Sequence, residues 1–218
     1  MSGALLNGDA QRLQECVAGG GVAVFPTDTV YGLCCDPQDE AAARRLYALK
    51  GRPPARACAV MFFELEPALR MLEQLREAER LALRALLPGP VTVLLPNRER
   101  HFAAACRTDR DSLGLRVPRL PERLQELRSV SVPVMQSSAN LSGQADACAL
   151  AEVPSRLREG AELVLDGGKL PGTPSTVVDL REFDQDRRWH VLREGALARS
   201  AVQEALDALS LPAIQRSC

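Results

Sequence analysis

Residues 21–33 read Gly-Val-Ala-Val-Phe-Pro-Thr-Asp-Thr-Val-Tyr-Gly-Leu, and residues 50–53 read Lys-Gly-Arg-Pro. The small and apolar run Val22–Phe25 predicts a short buried strand. It should end at Pro26, because proline cannot donate a hydrogen bond to a sheet ladder. Two hydroxyls, a carboxylate and a phenol follow, and the helical pattern of Asp39–Leu49 then leads to the two cations of the second stretch. Polar groups at a strand end, facing a pair of cations, predict a site for a substrate that carries phosphate.

The lysine that opens the second stretch is unusual in this chain. Of 27 basic residues, only Lys50 and Lys169 are lysine, and the remainder are arginine. A lysine retained in such a composition suggests that a compact ammonium is needed there. The alternative is a solvated lysine that the dipole stabilises at a helix C-terminus. Taken alone, this residue leaves both interpretations open.

Length and composition predict one globular domain over residues 1–210, followed by a loose tail over residues 211–218. The 218 residues are 46% hydrophobic and 25% charged, with a formal net charge of −1. A near-neutral chain argues against a protein that coats nucleic acid through bulk charge. The apolar stretches are too short to cross a bilayer and no secretory signal is evident, so we expect no membrane contact and a cytoplasmic protein.

Seven cysteines occur without a C-x-x-C pair, and the chain has only two histidines. This pattern argues against a zinc site and favours reduced, mostly buried thiols. The neighbours Cys34 and Cys35 are predicted to be packed thiols, because adjacent cysteines form strained disulfides.

The chain alternates predicted helices and short strands, which indicates an α/β domain with a mixed sheet. The predicted helices are Asp9–Ala18, Asp39–Leu49, Glu66–Leu75, Glu77–Leu87, Pro121–Leu127, Leu150–Arg158 and Ala201–Leu209. The predicted strands are Val22–Phe25, Ala57–Phe63, Val91–Leu95, Leu113–Val117, Val132–Met135, Leu163–Leu165, Thr176–Leu180 and Trp189–Leu192.

Polar residues gather where predicted strands begin or end. Arg116 lies near the end of one strand, residues 136–143 (Gln-Ser-Ser-Ala-Asn-Leu-Ser-Gly) follow another, Ser175 precedes a third and Arg193 follows the last. Open α/β sheets bind ligands at such loops. Each segment alone could be an ordinary turn or a surface arginine. The sequence contains no P-loop, no G-x-G-x-x-G and no G-x-S-x-G motif, which excludes three familiar kinds of site.

The ordered set of motifs is far more specific than any one of them. P-T-D-T-V-Y-G-L, K-G-R-P, P-G-P-V-T, L-R-V-P, S-A-N-L-S-G, S-T-V-V-D and R-x-G follow one another along the chain. Over roughly Asp9 to Leu209 this order closely resembles the YrdC family of threonylcarbamoyl-AMP synthases. The resemblance implies an α/β fold with a twisted mixed sheet flanked by helices, and a deep concave active-site surface.

The same resemblance implies a nucleotidyltransferase reaction. L-threonine, bicarbonate and ATP would give threonylcarbamoyl-AMP and pyrophosphate, with Mg²⁺ on the phosphates and no zinc. A tRNA threonylcarbamoyl-transferase complex would act downstream, in transient contact, to modify the adenosine beside the anticodon. This chemistry needs cations that stabilise the leaving pyrophosphate and no nucleophilic side chain.

The resemblance also implies roles for individual residues, with Lys50 and Arg52 as the catalytic pair. No protein residue is implied as a metal ligand. The implied threonine-binding residues are Thr27, Thr29, Arg116 and Ser175, and the implied ATP-binding residues are Lys50, Arg52, Arg56, Ser112, Ser138, Asn140 and Arg193.

Several positions depart from the family pattern. Arg56 and Ala57 stand where lysine and proline are usual, Gln136-Ser137 replaces a small residue and proline, and Glu194 replaces a proline. A diverged paralogue that uses another amino acid is therefore one alternative.

A second alternative is a non-catalytic RNA-binding module that uses the same surface, or an enzyme with weak RNA contact. Only eight aromatic residues and a near-neutral charge give this alternative little support. Carbamoyl-adenylate chemistry of the hydrogenase-maturation kind is a third, but those chains are much longer and carry zinc-finger and acylphosphatase parts.

Overall fold

A computed structural model describes residues 4–209, and within them nine strands form one mixed sheet. The strand order is β7-β1-β2-β6-β3-β5-β4-β8-β9. The pairs β1–β7, β3–β5 and β4–β8 are parallel and the other five are antiparallel. The strands are β1 (Ala23–Phe25), β2 (Gly32–Cys35), β3 (Ala59–Met61), β4 (Val91–Pro96), β5 (Ser112–Arg116), β6 (Val134–Ser138), β7 (Leu163–Val164), β8 (Thr176–Asp179) and β9 (His190–Arg193).

Helices flank this sheet, as predicted for the fold class. The described chain also contains two 3₁₀ segments, Glu122–Ser129 and Leu150–Glu152. No helix within residues 4–209 has the length and apolar character that crossing a membrane requires. The α-helices are α1 (Asp9–Ala18), α2 (Glu40–Lys50), α3 (Leu65–Met71), α4 (Glu77–Leu86), α5 (Ala103–Cys106), α6 (Ser155–Glu159), α7 (Phe183–Asp186) and α8 (Arg199–Asp207).

The central strands separate the core from a polar concave face. On β5, Leu113 and Leu115 are buried, whereas the alternating residues Ser112, Gly114 and Arg116 line a cavity. The same alternation occurs on β4, where buried valines and leucine alternate with half-buried residues. Because side chains of a strand point to opposite faces in turn, one face packs against helices and the other remains available for a ligand.

Strand β1 and helix α2 follow the local rules that predicted them. β1 ends at Phe25, immediately before Pro26. The Asp39 side chain caps α2 by accepting hydrogen bonds from the amides of Ala41 and Ala42. Gly51 ends the helix with φ = 63°, a left-handed conformation that glycine adopts without strain.

Several predicted boundaries are wrong, for identifiable reasons. The helix predicted over 150–158 is interrupted at Pro154, the N-cap of α6, and β6 begins after Pro133 and continues to Ser138. The segment predicted as helix over 121–127 is a 3₁₀ turn, and the helix predicted over 66–75 ends at Met71. Strand β2 was not predicted, because its four buried residues show no alternation.

The six described cysteines are free thiols, and four of them are buried, whereas Cys16 and Cys148 are partly exposed. Cys34 and Cys35 are buried free thiols on β2, and burial raises the pKa of each. The predicted tail over residues 211–218 lies outside the described part of the chain.

Candidate active site

A cavity of about 290 Å³ opens on the concave face of the sheet. Its walls come from segments distant in sequence, between Val30 and Arg193. Seven of the predicted site residues line it directly: Arg52, Arg56, Ser112, Arg116, Ser138, Ser175 and Arg193. The other four predicted site residues do not line the cavity. They form hydrogen bonds to wall residues or to each other, and they are Thr27, Thr29, Lys50 and Asn140.

Arg116 is the best-anchored cation in the cavity wall. Its Nη2 lies 2.6 Å from Asp28 Oδ1 and 2.6 Å from Thr29 Oγ1, and the residue is 2% exposed. The buried Nε has no hydrogen-bond partner within residues 4–209. Both hydrogens of Nη2 are directed at Asp28 and Thr29, so Nε and Nη1 hold the donors that remain for a carboxylate.

The loop after β1 supplies the hydrogen-bond acceptors that hold Arg116. Thr27 Oγ1 donates to the Val30 carbonyl at 2.7 Å and accepts from the amides of Thr29 and Val30. This turn brings the Thr29 hydroxyl within 3.1 Å of that of Thr27. Asp28, which the sequence indicated only as one of the polar groups after β1, accepts from Arg116 and from the Arg119 amide at 2.9 Å.

The Lys50 ammonium is directed at the loop after β6. Its Nζ lies 2.5 Å from the Ser138 carbonyl, 2.5 Å from Asn140 Oδ1 and 2.9 Å from the Asn140 carbonyl. The residue is 3% exposed, and burial, reinforced by the neighbouring charge of Arg52, lowers the pKa of Lys50 to about 8. Lys50 therefore holds the backbone of Ser138 and Asn140 in place by hydrogen bonds and does not itself line the cavity.

The loop over residues 51–57 presents Arg52 and Arg56 at the cavity. Arg52 Nη2 donates to the Ala57 carbonyl at 2.6 Å, and its guanidinium lies 5.8 Å from the centre of the Tyr47 ring. The Tyr47 hydroxyl donates to the Arg56 carbonyl at 2.6 Å. These contacts bind the loop backbone and leave the exposed Arg56 side chain free to meet a ligand.

Another part of the wall contains a chain of hydrogen bonds that links β4, the residue before β8, and β9. Thr92 Oγ1 lies 2.9 Å from Ser175 Oγ, and Arg193 Nη2 donates to the Ser175 carbonyl at 2.7 Å. Thr92 also pairs with Arg116 across β4 and β5. We did not single out Thr92 from the sequence, although the P-G-P-V-T motif contains it.

Positive charge dominates the cavity. Four arginines line it among the described residues, against the two carboxylates Asp109 and Asp146. Burial and repulsion from Arg116 and Arg56 lower the pKa of Arg193, whereas Asp146 opposes this shift. Such a surface attracts a polyanion and stabilises charge that develops on a leaving phosphate.

Two further wall residues, Asp146 and Gln136, were not predicted as site residues. Asp146 follows the S-A-N-L-S-G motif and is half-buried, and Gln136 lies on β6. The only sequence signal for Gln136 was its departure from the family pattern.

Comparison with known sequences agrees with this geometry. The profile of the Sua5, YciO and YrdC proteins, described as "Telomere recombination", matches residues 15–195. The chain is 37% identical to a threonylcarbamoyl-AMP synthase of Chromohalobacter salexigens, over 82% of this chain and 98% of that protein. It is 35% identical to a Pseudomonas aeruginosa protein of the same name, over 78% and 92% of the two chains.

Solved structures show the same architecture. Sua5 of P. abyssi in complex with L-threonine superimposes with a TM-score of 0.79 at 25% identity, and the match covers 92% of this chain and 58% of that one. E. coli YciO gives a TM-score of 0.72 at 27% identity, over 90% and 94% of the two chains. From the profile match and the relatives above 30% identity, we conclude that this chain belongs to the Sua5/YciO/YrdC family.

Proposed function

We propose that this protein is an L-threonylcarbamoyladenylate synthase, a nucleotidyltransferase that converts L-threonine, bicarbonate and ATP into threonylcarbamoyl-AMP and pyrophosphate. One observation carries the proposal. A single cavity combines a buried arginine with an unused donor, supported by two threonine hydroxyls, with three further arginines on its walls. The first group suits an amino-acid carboxylate and the second suits a polyphosphate.

Arg116 and its supporting hydroxyls would hold the amino acid. In this arrangement the threonine carboxylate meets the Arg116 guanidinium, and the Thr92–Ser175 pair offers hydroxyls to the rest of the substrate. The neutral threonine amine attacks the carbon of bicarbonate or CO₂ and forms a carbamate. With bicarbonate, the proton that the amine loses leaves with the expelled hydroxide as one water, and with CO₂ the proton passes to solvent.

The arginines would then assist adenylation. A carbamate oxygen attacks the α-phosphorus of ATP, a new P–O bond forms, and the bond to pyrophosphate breaks. Arg52, Arg56 and Arg193 neutralise the charge that accumulates on the leaving group. No side chain needs to act as a nucleophile, because the attacking oxygen belongs to the substrate.

A magnesium ion is expected on the phosphates of ATP. Within residues 4–209 no group of three or more His, Cys, Asp or Glu side chains could hold a metal ion alone. That donor set fits an ion that takes most of its ligands from phosphate and water, with Asp146 as the half-buried carboxylate of the same cavity. The ion would supply charge neutralisation on the triphosphate.

The product would be used by a separate enzyme. Threonylcarbamoyl-AMP is a mixed anhydride, so a downstream threonylcarbamoyl-transferase complex acting on tRNA would consume it, with transient contact sufficing for transfer. A cytoplasmic location follows from this role and belongs to the proposal.

Pyrophosphate release tests the proposal directly. Purified protein is incubated with ATP, Mg²⁺ and bicarbonate, with or without L-threonine, and with L-serine as the control amino acid. We expect release that requires both threonine and bicarbonate. Release with serine alone would instead identify a paralogue for another amino acid, and absence of ATP binding would contradict the enzyme assignment.

A further inference from the structure

The Asp28 carboxylate forms a buried ion pair with Arg116 that the reaction above leaves without a role. Its Oδ1 lies 2.6 Å from Arg116 Nη2, and the two side chains are 4% and 3% exposed. Its Oδ2 accepts a hydrogen bond from the Arg119 amide at 2.9 Å. Both oxygens are therefore occupied by protein donors, and the residue does not line the cavity. Asp28 is a fixed negative charge next to Arg116 and outside the cavity lining.

The other arginines of the cavity wall have no such partner. Within residues 4–209, no carboxylate forms an ion pair with Arg52, Arg56 or Arg193. Arg52 and Arg193 instead donate to backbone carbonyls. Among the described residues, Arg116 is thus the one cavity arginine whose charge is compensated by an ion pair.

This pairing changes what the Arg116 subsite can bind. A buried guanidinium without a counter-charge attracts any anion, and it attracts a phosphate more than a carboxylate because the Coulomb energy grows with the charge of the ligand. The charge of Asp28 offsets this attraction, so binding at Arg116 depends mainly on the directed Nε and Nη1 donors. A single carboxylate suits such a subsite, whereas a polyphosphate is better bound by the uncompensated arginines.

Such a division matters because the two kinds of subsite share one small cavity. Arg116 and Arg193 both line the same space of about 290 Å³. Burial lowers the pKa of Arg193, and repulsion from Arg116 adds to this shift, so the two guanidinium groups act on each other through space. If charge alone determined binding, a polyphosphate could reach Arg116 and occupy the place of the amino acid.

We infer that Asp28 is a specificity-determining residue that acts through Arg116, because its charge reserves the Arg116 subsite for the carboxylate of the amino acid and excludes phosphate from it. Asp28 is a positioning residue, since it contacts Arg116 and does not line the cavity. The inference rests on the proposed function for the identity of the two substrates.

The test measures the binding of pyrophosphate and of L-threonine by calorimetry, without ATP, so that no turnover is needed. Asp28→Asn removes the charge and nearly preserves the shape of the side chain. We expect this variant to bind pyrophosphate about tenfold more tightly than the unmodified protein and threonine about tenfold more weakly, with pyrophosphate now competing against threonine. Asp28→Glu keeps the charge and should retain the pyrophosphate affinity of the unmodified protein, whatever its affinity for threonine.

The matched control is Asp207→Asn at an exposed position of α8, which changes the net charge equally and should leave both affinities unchanged. Loss of threonine affinity in Asp28→Asn without a gain for pyrophosphate would overturn the inference, because Asp28 would then only support the loop. The unmodified protein provides a test that needs no variant. Saturating pyrophosphate should change its threonine affinity by less than about twofold, and competition between the two ligands would overturn the inference. The expected binding without release of pyrophosphate from ATP would contradict the proposed function and leave the role of Asp28 standing.

Discussion

At the scale of single residues, Lys50 is a cation that supports the cavity wall without lining the cavity. Its ammonium bonds to two backbone carbonyls and to the Asn140 side chain, all on the loop that presents Ser138. A neutral amine has one fewer hydrogen to donate and no charge to attract carbonyl oxygens. The order of this loop should therefore depend on the protonation of Lys50.

The first prediction concerns pH. The pKa of Lys50 lies below its usual range, at about 8, so the ammonium is present at pH 7 and is lost as pH rises through 8. We expect kcat/KM for ATP to fall above that pH, by up to about tenfold per unit. Pyrophosphate release between pH 6.5 and 9.5 measures this, and Lys50→Met should be slow throughout with no inflection near 8.

The second prediction concerns Arg116. Arg116→Lys keeps the charge, but an ammonium that satisfies Asp28 and Thr29 has one hydrogen left, in place of the Nε and Nη1 donors that arginine offers to a carboxylate. We expect KM for threonine to rise about 100-fold, with the affinity for ATP nearly unchanged. Threonine titrations in the pyrophosphate assay measure the change, and an equal loss of ATP affinity would contradict it.

At the scale of elements, the loop over residues 51–57 is held by a segment that we did not associate with the site from the sequence. Arg107 Nε donates to the Pro54 carbonyl at 2.8 Å, and Thr108 Oγ1 donates to the Ala55 carbonyl at 3.1 Å. The Arg107 guanidinium lies 5.1 Å from the centre of the Tyr47 ring and also pairs with Glu40. Helix α2, this loop and the end of α5 thus form one support for Arg52 and Arg56.

The third prediction follows from this support. Arg107→Ala should loosen the loop and raise KM for ATP roughly fivefold, while the affinity for threonine stays the same. Arg44→Ala, which removes an exposed arginine from α2, is the matched control and should leave both values unchanged. Equal effects of the two substitutions on ATP would show that only net charge matters.

The success of sequence-based prediction differed between elements for physical reasons. Local rules were enough for β1 and α2, because proline, a capping aspartate and a glycine mark their ends. They failed for β2, whose four residues are buried between β1 and β6 and owe their extended form to those partners. The assigned roles of the site residues rest on family resemblance, and they remain predictions.

What the sequence could not show was which of the predicted site residues line the cavity. Lys50 and Arg52 belong to one motif, yet only Arg52 lines the cavity, because the helix ends between them and the chain turns at Gly51. Ser138 and Asn140 also belong to one motif, yet only Ser138 lines the cavity. This distinction depends on long-range packing and cannot be obtained from spacing along the chain.

At the scale of the whole molecule, one face of the sheet packs into the hydrophobic core and the other face lines the cavity. Leu115 is fully buried between two cavity residues of β5, on the opposite side of the strand. The fourth prediction is that Leu115→Ala lowers the free energy of unfolding by about 3 kcal/mol. Denaturant unfolding measures the loss, and KM for both substrates should change less than twofold in the folded variant, since no cavity contact is removed.

The cavity wall begins near Val30 and is completed by Arg193 on β9, the last strand of the sheet. A chain still being synthesised therefore has no nucleotide site until nearly all of the described sequence is available to fold. Once the site exists, bound ATP favours the complete sheet over states in which a cavity-lining strand is unfolded, by about 2.7 kcal/mol at a hundred times its dissociation constant. The substrate of the enzyme would thus also act as its stabiliser, and protein stability would follow the supply of ATP.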